Sequence, residues 1–418
     1  MSESHSEISQ VSNILTKSLA ALNAAVNETD RAKAFATVQA AYGKLETLAL
    51  PPGLLLQQIS MSYQLPMVLG TVNDLGIAEV LSESNGSGGR MSSKEIEEFA
   101  KGAPVPTWIS LTVKQGGMAA VSMVTAFRED KYKKSHEISE TPFSKIYNTD
   151  VPFWKWLEQE GRELNVAKAF EVNNARNFDF SYYPWKDLPE DPIVVDVGGG
   201  EGSAMAVVLP LAHEGTKAII QDLSLPVLEH AKTFWAERDS TAVLEGRVVL
   251  QQQDFFQPQP VKGAAVYFLR FVLHDWKDEK CIEILKHLHD ATNEESRLLI
   301  VEAVVSHACR DIGSLKDDGV EGAYPAPMPK PLPANGGRAT EFEAGFDMHM
   351  MNILNGGERT YEQFRQLAAK AGWKPKKVYQ TDEISSLKIL EFVSEYGLDA
   401  ASYAKVFKFA LAVVHLPA

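Results

Sequence analysis

The sequence lacks the features that mark several classes of protein. Its 418 residues include only two cysteines, Cys281 and Cys309, too few for a disulfide framework and not spaced as in a zinc site. Acidic side chains outnumber basic ones by 55 to 41, and the net charge of −14 without a Lys/Arg cluster argues against nucleic acid as a partner. No apolar run reaches the roughly 18 residues that would span a membrane, and the polar N-terminus lacks a secretion-signal pattern. We therefore expect a cytoplasmic protein with neither a membrane nor a nucleic-acid partner.

Apolar residues in helical patterns dominate the N-terminal part of the chain. Hydrophobic residues make up 45% of the sequence, enough to bury a sizeable core. Residues 8–48 and 54–82 are expected to form amphipathic helices that pack either on their own domain or on a second chain. In residues 107–140 we predict a helix, a strand at 119–127 and a second short strand, which is the outline of a winged helix. Basic residues at helical spacing are missing, so DNA binding is not expected.

From Pro192 onward the pattern alternates between strands and helices. This alternation predicts an α/β fold, a Rossmann-like, doubly wound and mostly parallel sheet with right-handed crossovers. Such sheets bind their ligands at the carboxyl ends of the strands. A helix at 360–373 precedes the last predicted strand. The predicted strands are 192–198, 217–223, 247–255, 264–270, 297–305 and 385–392.

The expected domains follow from this change of pattern. Residues 1–165 are predicted to form an all-α, winged-helix-like domain and residues 166–395 a catalytic domain. Residues 306–345, rich in Pro and Gly, predict a flexible insertion in the latter. Residues 396–418 form a C-terminal tail whose apolar pattern indicates no role.

A glycine cluster follows the first strand of the sheet. Gly198 and Gly200 let the backbone turn sharply and approach a ligand, as in nicotinamide, flavin and S-adenosylmethionine (SAM) sites alike. Ser203 stands where a dinucleotide fingerprint requires Gly or Ala, which disfavours a nicotinamide oxidoreductase. The Asp196 carboxylate would repel a pyrophosphate and suits a ligand with an ammonium and a sulfonium.

Two further acids end the next strands. Asp222, followed by Leu223, is placed to accept hydrogen bonds from ribose hydroxyls. Asp254 offers a carboxylate to an adenine amino group beside the aromatic face of Phe255. Each acid alone could instead cap a helix or lie in a solvated loop, but three on consecutive strand ends favour a nucleotide-like ligand.

A histidine follows the fourth strand, where two distant glutamates could reach it. A lone His is usually structural, but His274 lies on the same sheet edge as the glycine cluster, as does Glu302 at the end of strand five. Glu358 follows a Gly-Gly turn. An imidazole bonded to a carboxylate makes a general base for a phenol, whose pKa is about 10. Methyl transfer to that oxygen requires no metal ion.

The segments DVGGGEGS, QDL, DFF, FLRFVLHDW, LLIVEA and NGGERT together resemble the SAM-dependent O-methyltransferases of the plant caffeic-acid type, and particularly their fungal relatives in secondary metabolism. The resemblance spans residues 50–392. It implies that His274 is the base, flanked by Glu302 and Glu358, and that the chain forms a homodimer through its N-terminal helices. The residues it assigns to the cofactor are Asp196, Gly198, Gly200, Asp222, Leu223, Asp254, Phe255, Arg270 and Trp276, with Arg270 where the family often has Lys.

The chain departs from the family between Ser139 and Pro142, where tens of residues that help to roof the substrate pocket are missing. Aromatic and Met side chains favour a flat phenolic acceptor, although plain core packing explains them equally well. The predicted acceptor residues are Phe153, Trp154, Phe170, Asn174, Met350, Met351 and Asn355.

The predicted function is therefore SAM-dependent O-methylation of a phenolic hydroxyl on an aromatic, polyketide-like secondary metabolite. One alternative is a SAM-dependent pericyclase of the same fold, in which the sulfonium acts only as a positive charge. Another is a non-catalytic dimeric scaffold.

Overall fold

The computed structural model describes residues 2–50, 115–159, 179–310, 318–324, 326–380 and 387–394. No helix in these ranges combines the length and the apolar character needed to cross a bilayer. The α-helices are α1 (Ser2–Ala24), α2 (Glu28–Ala49), α3 (Gly117–Ala126), α4 (Asp130–Lys133), α5 (Pro142–Ile146), α6 (Phe153–Gln159), α7 (Ser203–Val208), α8 (Leu225–Arg238), α9 (Asp278–His289), α10 (Glu341–Leu354) and α11 (Tyr361–Lys370). The strands are β1 (Ile193–Val197), β2 (Lys217–Asp222), β3 (Val248–Gln252), β4 (Val266–Arg270), β5 (Arg297–Ala303), β6 (Trp373–Gln380) and β7 (Leu387–Ser394).

The strands form one seven-stranded sheet in the order β3-β2-β1-β4-β5-β7-β6. The first five strands are parallel to one another, and β7 is antiparallel to both β5 and β6. The predicted mostly parallel sheet is thereby confirmed. Strand β6 was not predicted, because its sequence WKPKKVYQ is rich in Lys and contains Pro375, beside which the pairing with β7 is irregular.

Apolar clusters cover both faces of the sheet, as a parallel sheet requires. On one face, Tyr267 and Leu269 pack with residues of α9 and α11. On the other, Val266 and Phe268 pack with residues of α7 and α8. These consecutive residues of β4 point to alternate sides, and burial on both explains why the central strands read as continuous apolar runs.

The chain forms two compact units. The first contains residues 1–176 and 327–357, and the second contains residues 177–326 and 358–418. The predicted domain boundaries after residues 165 and 395 lie outside the described residues and stay predictions. Residues 327–357 belong to the first unit, whereas the sequence-based division placed them in the catalytic domain.

Helices α1 and α2 confirm the helical pattern of residues 8–48, and Asn27 caps α2 by accepting the Asp30 N–H. The predicted flexible insertion at 306–345 needs correction in its second half. Leu332 is only 2% exposed and packs against Val11 on α1. The helix α10 begins at Glu341, inside the predicted loop. The pattern was missed because the apolar residues of this segment are few and widely spaced.

The strand predicted at 119–127 is wrong, since these residues lie in helix α3 and its C-cap. The valines of AAVSMVTAF favour a strand, but the buried residues Ala119, Ser122 and Ala126 follow a helical spacing. The Ser122 hydroxyl contacts the carbonyls of Ala119 and Pro142. The second wing strand also does not form at 136–139. Residues 54–82 and the other winged-helix elements before 115 lie outside the described residues.

Candidate active site

The glycine turn after β1 is joined to the end of β2. The Gly199 N–H donates to the Gln221 carbonyl at 2.9 Å, and the Gly200 N–H donates to Oδ2 of Asp222 at 3.1 Å. The other carboxylate oxygen of Asp222 accepts the N–H of Ser224 at 2.9 Å. Burial raises the pKa of Asp222, and these backbone N–H groups oppose the rise. Asp222 therefore fixes the turn as well as presenting a carboxylate at the strand end.

The turn leaves space that a side chain would fill. Gly198 and Gly200 have φ of +69° and +60°, which favours glycine. A Cβ on Gly198 would lie 3.1 Å from Val272, whereas one on Gly200 would meet no heavy atom of the described residues within 4 Å. Among the described residues, the backbone at Gly200 thus faces open space, as a ligand cradle requires.

Asp196 lies beneath this turn with its carboxylate buried. The residue is 1% exposed, and its Oδ2 has no hydrogen-bond partner among the residues that the structure describes. Burial raises its pKa to about 7; Arg270 opposes the rise and Asp222 adds to it. A buried carboxylate that is short of partners favours a cationic ligand. This observation fits a cofactor that carries an ammonium and a sulfonium.

The predicted adenine residues meet beside the same turn. Phe255 and Trp276 pack edge to face with centroids 5.9 Å apart, and a Cβ on Gly198 would lie 3.6 Å from Phe255. Asp254 uses Oδ1 to accept the Phe256 N–H at 2.9 Å, which stabilises the local turn. Leu223 is exposed. The structure thus brings Phe255 to the glycine turn and packs Trp276 against Phe255.

His274 is buried together with two glutamates at the carboxyl edge of the sheet. Its Nδ1 lies 2.8 Å from Oε1 of Glu358 and 3.6 Å from Oε2 of Glu302, although Glu358 is 84 positions away. The side chains of both glutamates are fully buried. The hydrogen bond to Glu358 places the ring proton on Nδ1 and the lone pair of the neutral ring on Nε2.

Electrostatics favour the charged form of this imidazole. Burial alone lowers the pKa of His274, but the carboxylates of Glu302 and Glu358 outweigh it and raise the pKa to about 10. Burial in turn raises the pKa of Glu302, while the charge of His274 opposes the rise. At neutral pH, His274 is therefore the imidazolium, and the basic form becomes abundant only in alkaline solution.

The same three side chains have the donor types of a metal site. Their ligand atoms lie within 4.8 Å of one another, close enough to share one ion. Two ligands of a tetrahedral ion with bonds of about 2.0–2.1 Å are roughly 3.3 Å apart. The 2.8 Å between Nδ1 of His274 and Oε1 of Glu358 is a hydrogen-bond distance. The geometry is that of an imidazole hydrogen-bonded to a carboxylate.

Further neighbours surround the histidine, among them Asp275, whose Oδ1 lies 3.4 Å from Nε2. Oε1 of Glu302 accepts the N–H groups of Val272 and Leu273 at 2.9 and 2.8 Å. Glu302 therefore fixes the backbone of the turn and also stabilises the positive charge of the imidazolium. Phe271, which the sequence did not single out, stacks on His274 with ring centroids 5.4 Å apart. The only available signal was an aromatic residue between a strand end and the histidine.

Arg270 ends β4 beside Phe271, with its Cζ 4.8 Å from the centre of that ring. Burial lowers the pKa of Arg270 to about 10, and the charges of Asp196 and Glu302 oppose the change. The guanidinium of Arg270 therefore interacts electrostatically with two carboxylates, that of Asp196 under the glycine turn and that of Glu302 beside His274. A contact from Arg270 to the cofactor stays a prediction.

The predicted acceptor residues belong to the first unit. Phe153 and Met350 are buried in one apolar cluster with Phe143. Trp154 is partly exposed and Met351 is half-buried. The remaining three are Asn355, whose side chain binds backbone carbonyls, and Phe170 and Asn174, which lie outside the described residues. Their role toward an acceptor stays a prediction.

Sequence comparison gives an independent view of the chain. Residues 128–317 match the family model of an O-methyltransferase domain. A 4-O-methyltransferase 1 from Phanerochaete chrysosporium is 33% identical over 67% of this chain, and the match spans 59% of that relative's length. The O-methyltransferase asqN from Emericella nidulans is 31% identical over 58% of this chain and 72% of that protein.

Solved structures share the fold. A structure described as "A Pericyclic Reaction enzyme" and one described as "The structure of LepI complex with SAM" match with TM-scores of 0.66. They are 23% and 24% identical to this chain, and each match covers 92% of this chain and 99% of theirs. These structures confirm the predicted α/β sheet fold, and the match to the O-methyltransferase family confirms the predicted cofactor, SAM.

Proposed function

Because the chain belongs to the SAM-dependent O-methyltransferase family of the fungal relatives it matches, we propose that it methylates a phenolic hydroxyl and that His274 is the general base. The observation that carries this proposal is the 2.8 Å hydrogen bond between Nδ1 of His274 and Oε1 of Glu358. It supports a fixed tautomer whose Nε2 accepts the phenolic proton. The carboxylates of Glu358 and Glu302 then stabilise the imidazolium that forms.

The acidity of the base matches that of the substrate. The carboxylates raise the pKa of His274 to about 10, toward that of a phenol, so the neutral imidazole is basic enough to accept a phenolic proton. Because the two carboxylates raise the pKa of His274, the ring is mostly charged at neutral pH and the neutral ring becomes more abundant as the pH rises. We therefore propose an enzyme whose chemical step accelerates toward alkaline pH.

The residues around the glycine turn would hold the cofactor. We propose that Asp196 and the turn at Gly198 and Gly200 bind the methionine part, and that Asp222 binds the ribose. Phe255 and Trp276 would contact the adenine, with Asp254, Leu223 and Arg270 completing the site. When bound, SAM supplies a methyl group already activated on a sulfonium. Oδ2 of Asp196, which has no hydrogen-bond partner among the described residues, supports this arrangement.

The acceptor is proposed to be an aromatic, polyketide-like phenol of secondary metabolism. The aromatic and Met side chains that pack around Phe153 and Met350 support a flat, apolar substrate. We also propose a cytoplasmic homodimer that forms through the N-terminal helices. Exposed apolar side chains at Leu19 on α1 and Phe35 on α2 support that interface.

Methyl transfer from labelled SAM to a panel of phenols tests the proposal. We expect His274→Ala to abolish transfer while the SAM dissociation constant, measured by calorimetry, changes by no more than a few fold. His287→Ala, on α9, serves as the matched control and should keep full activity. Unchanged turnover in His274→Ala would contradict the assigned role.

A pericyclase is the second candidate, because a structure described as a pericyclic reaction enzyme shares the fold. Release of S-adenosylhomocysteine during turnover separates the two candidates, since only methyl transfer produces it. Absence of SAM binding would favour a scaffold instead.

A further inference from the structure

We propose that Arg359 is a positioning residue that holds the turn carrying His274, an inference that rests on the proposed role of His274 as the base. Arg359 directly follows Glu358 and is 6% exposed. Its Nη1 donates to the Leu273 carbonyl at 2.7 Å, and its Nη2 donates to the Trp276 carbonyl at 2.6 Å. These two carbonyls lie on either side of the histidine.

The guanidinium also reaches the first residue of helix α9. Nε and Nη2 donate to Oδ1 of Asp278 at 3.1 and 3.0 Å. A planar fork of donors makes these bonds at the same time, which a lysine ammonium with its single nitrogen cannot reproduce. Arg359 thus fixes the beginning and the end of the short turn Leu273–Asp275 and the helix that follows it.

Glu302 holds the same turn from its N–H side. Its Oε1 accepts the N–H groups of Val272 and Leu273, while Arg359 binds the carbonyls of Leu273 and Trp276. The backbone on both sides of His274 is therefore fixed by two buried side chains of opposite charge. We infer that the imidazole position is set by this pair as well as by its own hydrogen bond.

Arg359 is anchored to the sheet through its backbone. Its carbonyl accepts the Val305 N–H at 3.0 Å, and the residue forms a parallel bridge with Val304, just after β5. Glu358 precedes this anchor by one residue. The same short segment therefore places the carboxylate on Nδ1 of His274 and the guanidinium on the turn, so that a shift of one shifts the other.

Loss of the Arg359 guanidinium should reduce the catalytic rate more than it reduces the stability of the fold. The Leu273 carbonyl also accepts the Trp276 N–H at 3.2 Å, and the single proton of the Cys281 thiol, 3.4 Å from the Trp276 carbonyl, can serve that carbonyl when the guanidinium is removed. A displacement of about 1 Å at a reacting group can cost roughly a hundredfold in rate. A looser turn also weakens the contact with Glu358, which lowers the pKa of the imidazole.

The test compares Arg359→Lys with Arg365→Lys, a partly exposed arginine of α11 that pairs with Glu362. For Arg359→Lys we expect kcat to fall about tenfold or more, the rising limb of the pH–rate profile to move to lower pH, and the SAM dissociation constant to stay within a few fold. Arg365→Lys should match the wild type. An Arg359→Lys enzyme with the wild-type pH profile and a rate loss equal to its loss of folded protein would overturn the proposal.

Chemical rescue gives a second measurement. Added guanidinium at millimolar concentrations should restore part of the activity of Arg359→Ala, whereas the same concentration of ammonium should not. Lack of rescue, together with an unshifted pH profile of Arg359→Lys, would assign Arg359 to folding alone. If His274→Ala is inactive and Arg359→Lys is normal, only this inference fails; if His274→Ala is fully active, the proposed function fails first.

Discussion

The ring of Phe271 stacks on the imidazole of His274, with centroids 5.4 Å apart and planes inclined by 21°. Phe271 makes this contact from a backbone φ of +51°, a left-handed conformation that costs an L-residue roughly 1–2 kcal/mol. Such strain persists where the surrounding structure enforces it and is concentrated at functional sites. We infer that the left-handed residue redirects the chain after β4 so that the histidine turn begins beside Glu302.

Two substitutions at Phe271 separate the strain from the stacking. Phe271→Gly removes both the ring and the strain, whereas Phe271→Ala removes the ring and keeps the strained backbone. We expect both variants to lose methyl transfer, and Phe271→Gly to be more stable than Phe271→Ala by about 1 kcal/mol. Urea unfolding measures the difference. Equal stability of the two variants would show that this position does not require a left-handed backbone.

The pH dependence of catalysis should report the ionisation of His274. Its pKa is about 10 because the carboxylates of Glu302 and Glu358 outweigh the effect of burial. For a neutral-ring base, log kcat/KM should rise with a slope of about one from neutral pH and level off near pH 10. Glu358→Gln should move this plateau to lower pH and reduce its height. The measurement is kcat/KM for a phenol between pH 6 and pH 10.5.

The control for this profile is Glu362→Gln on α11, which should leave it unchanged. The same raised pKa has a consequence for stability. A histidine whose folded pKa exceeds its usual value of about 6.5 stabilises the protein fully below that pH, and the stabilisation is lost as the pH rises through about 10. For the pH dependence of catalysis, a value of kcat/KM that stays constant above pH 7 would rule out the imidazolium as the resting form of His274.

Asp196 should make SAM binding dependent on pH. Burial raises its pKa to about 7, so the carboxylate is protonated in mildly acidic solution and ionised above neutrality. A cationic ligand requires the ionised form, and the SAM dissociation constant should increase as the pH falls below 7. Asp196→Asn should weaken binding about tenfold or more at pH 8 and remove most of this dependence. Calorimetry between pH 5.5 and pH 8.5 gives both results.

The same substitution should stabilise the protein without its cofactor. An acid whose folded pKa lies above its unfolded value destabilises the fold as the pH rises through that interval, here from about 4 to about 7. Asp196→Asn should therefore raise the melting temperature at pH 8. The exposed control Asp290→Asn should change neither the melting temperature nor the SAM dissociation constant. A lower melting temperature together with intact SAM binding would contradict the assignment of Asp196.

The sequence predicts the sheet well because strand ends, glycines and acids follow local rules. It places Asp222 and His274 at the carboxyl edge from the strand pattern alone. The resemblance to known methyltransferases adds the roles of Glu302 and Glu358. The observed Nδ1–Oε1 distance between His274 and Glu358 depends on residues 84 positions apart, and no local pattern contains it.

The features that the sequence did not predict also depend on contacts between distant parts of the chain. Helix α3 was predicted as a strand because its valines favour strands, while its burial follows a helical period set by neighbouring elements. The left-handed backbone of Phe271 and the bonds of Arg359 to the histidine turn are tertiary features. They become visible only when the chain has folded.

Substitutions of Asn355 test whether this residue belongs to the predicted acceptor site or only stabilises the fold. It ends α10 with a φ of +55°, and its Nδ2 donates to the carbonyls of Glu137 and Glu140 at 2.8 and 3.0 Å. Glu140 lies in the segment between Ser139 and Pro142 that was predicted to be short, and Glu137 lies just before it, so the bonds fix this segment. Asn355→Gly keeps the left-handed backbone and loses both bonds, which should cost about 2–3 kcal/mol of unfolding free energy.

Asn355→Ala should cost about 1 kcal/mol more, because alanine disfavours the left-handed conformation. With a purely structural role, the KM for the phenol, measured on the folded fraction, stays at the wild-type value in both variants. A tenfold rise in KM without a loss of stability would instead assign the amide to acceptor binding. Urea unfolding and initial rates on the same preparations distinguish the two roles.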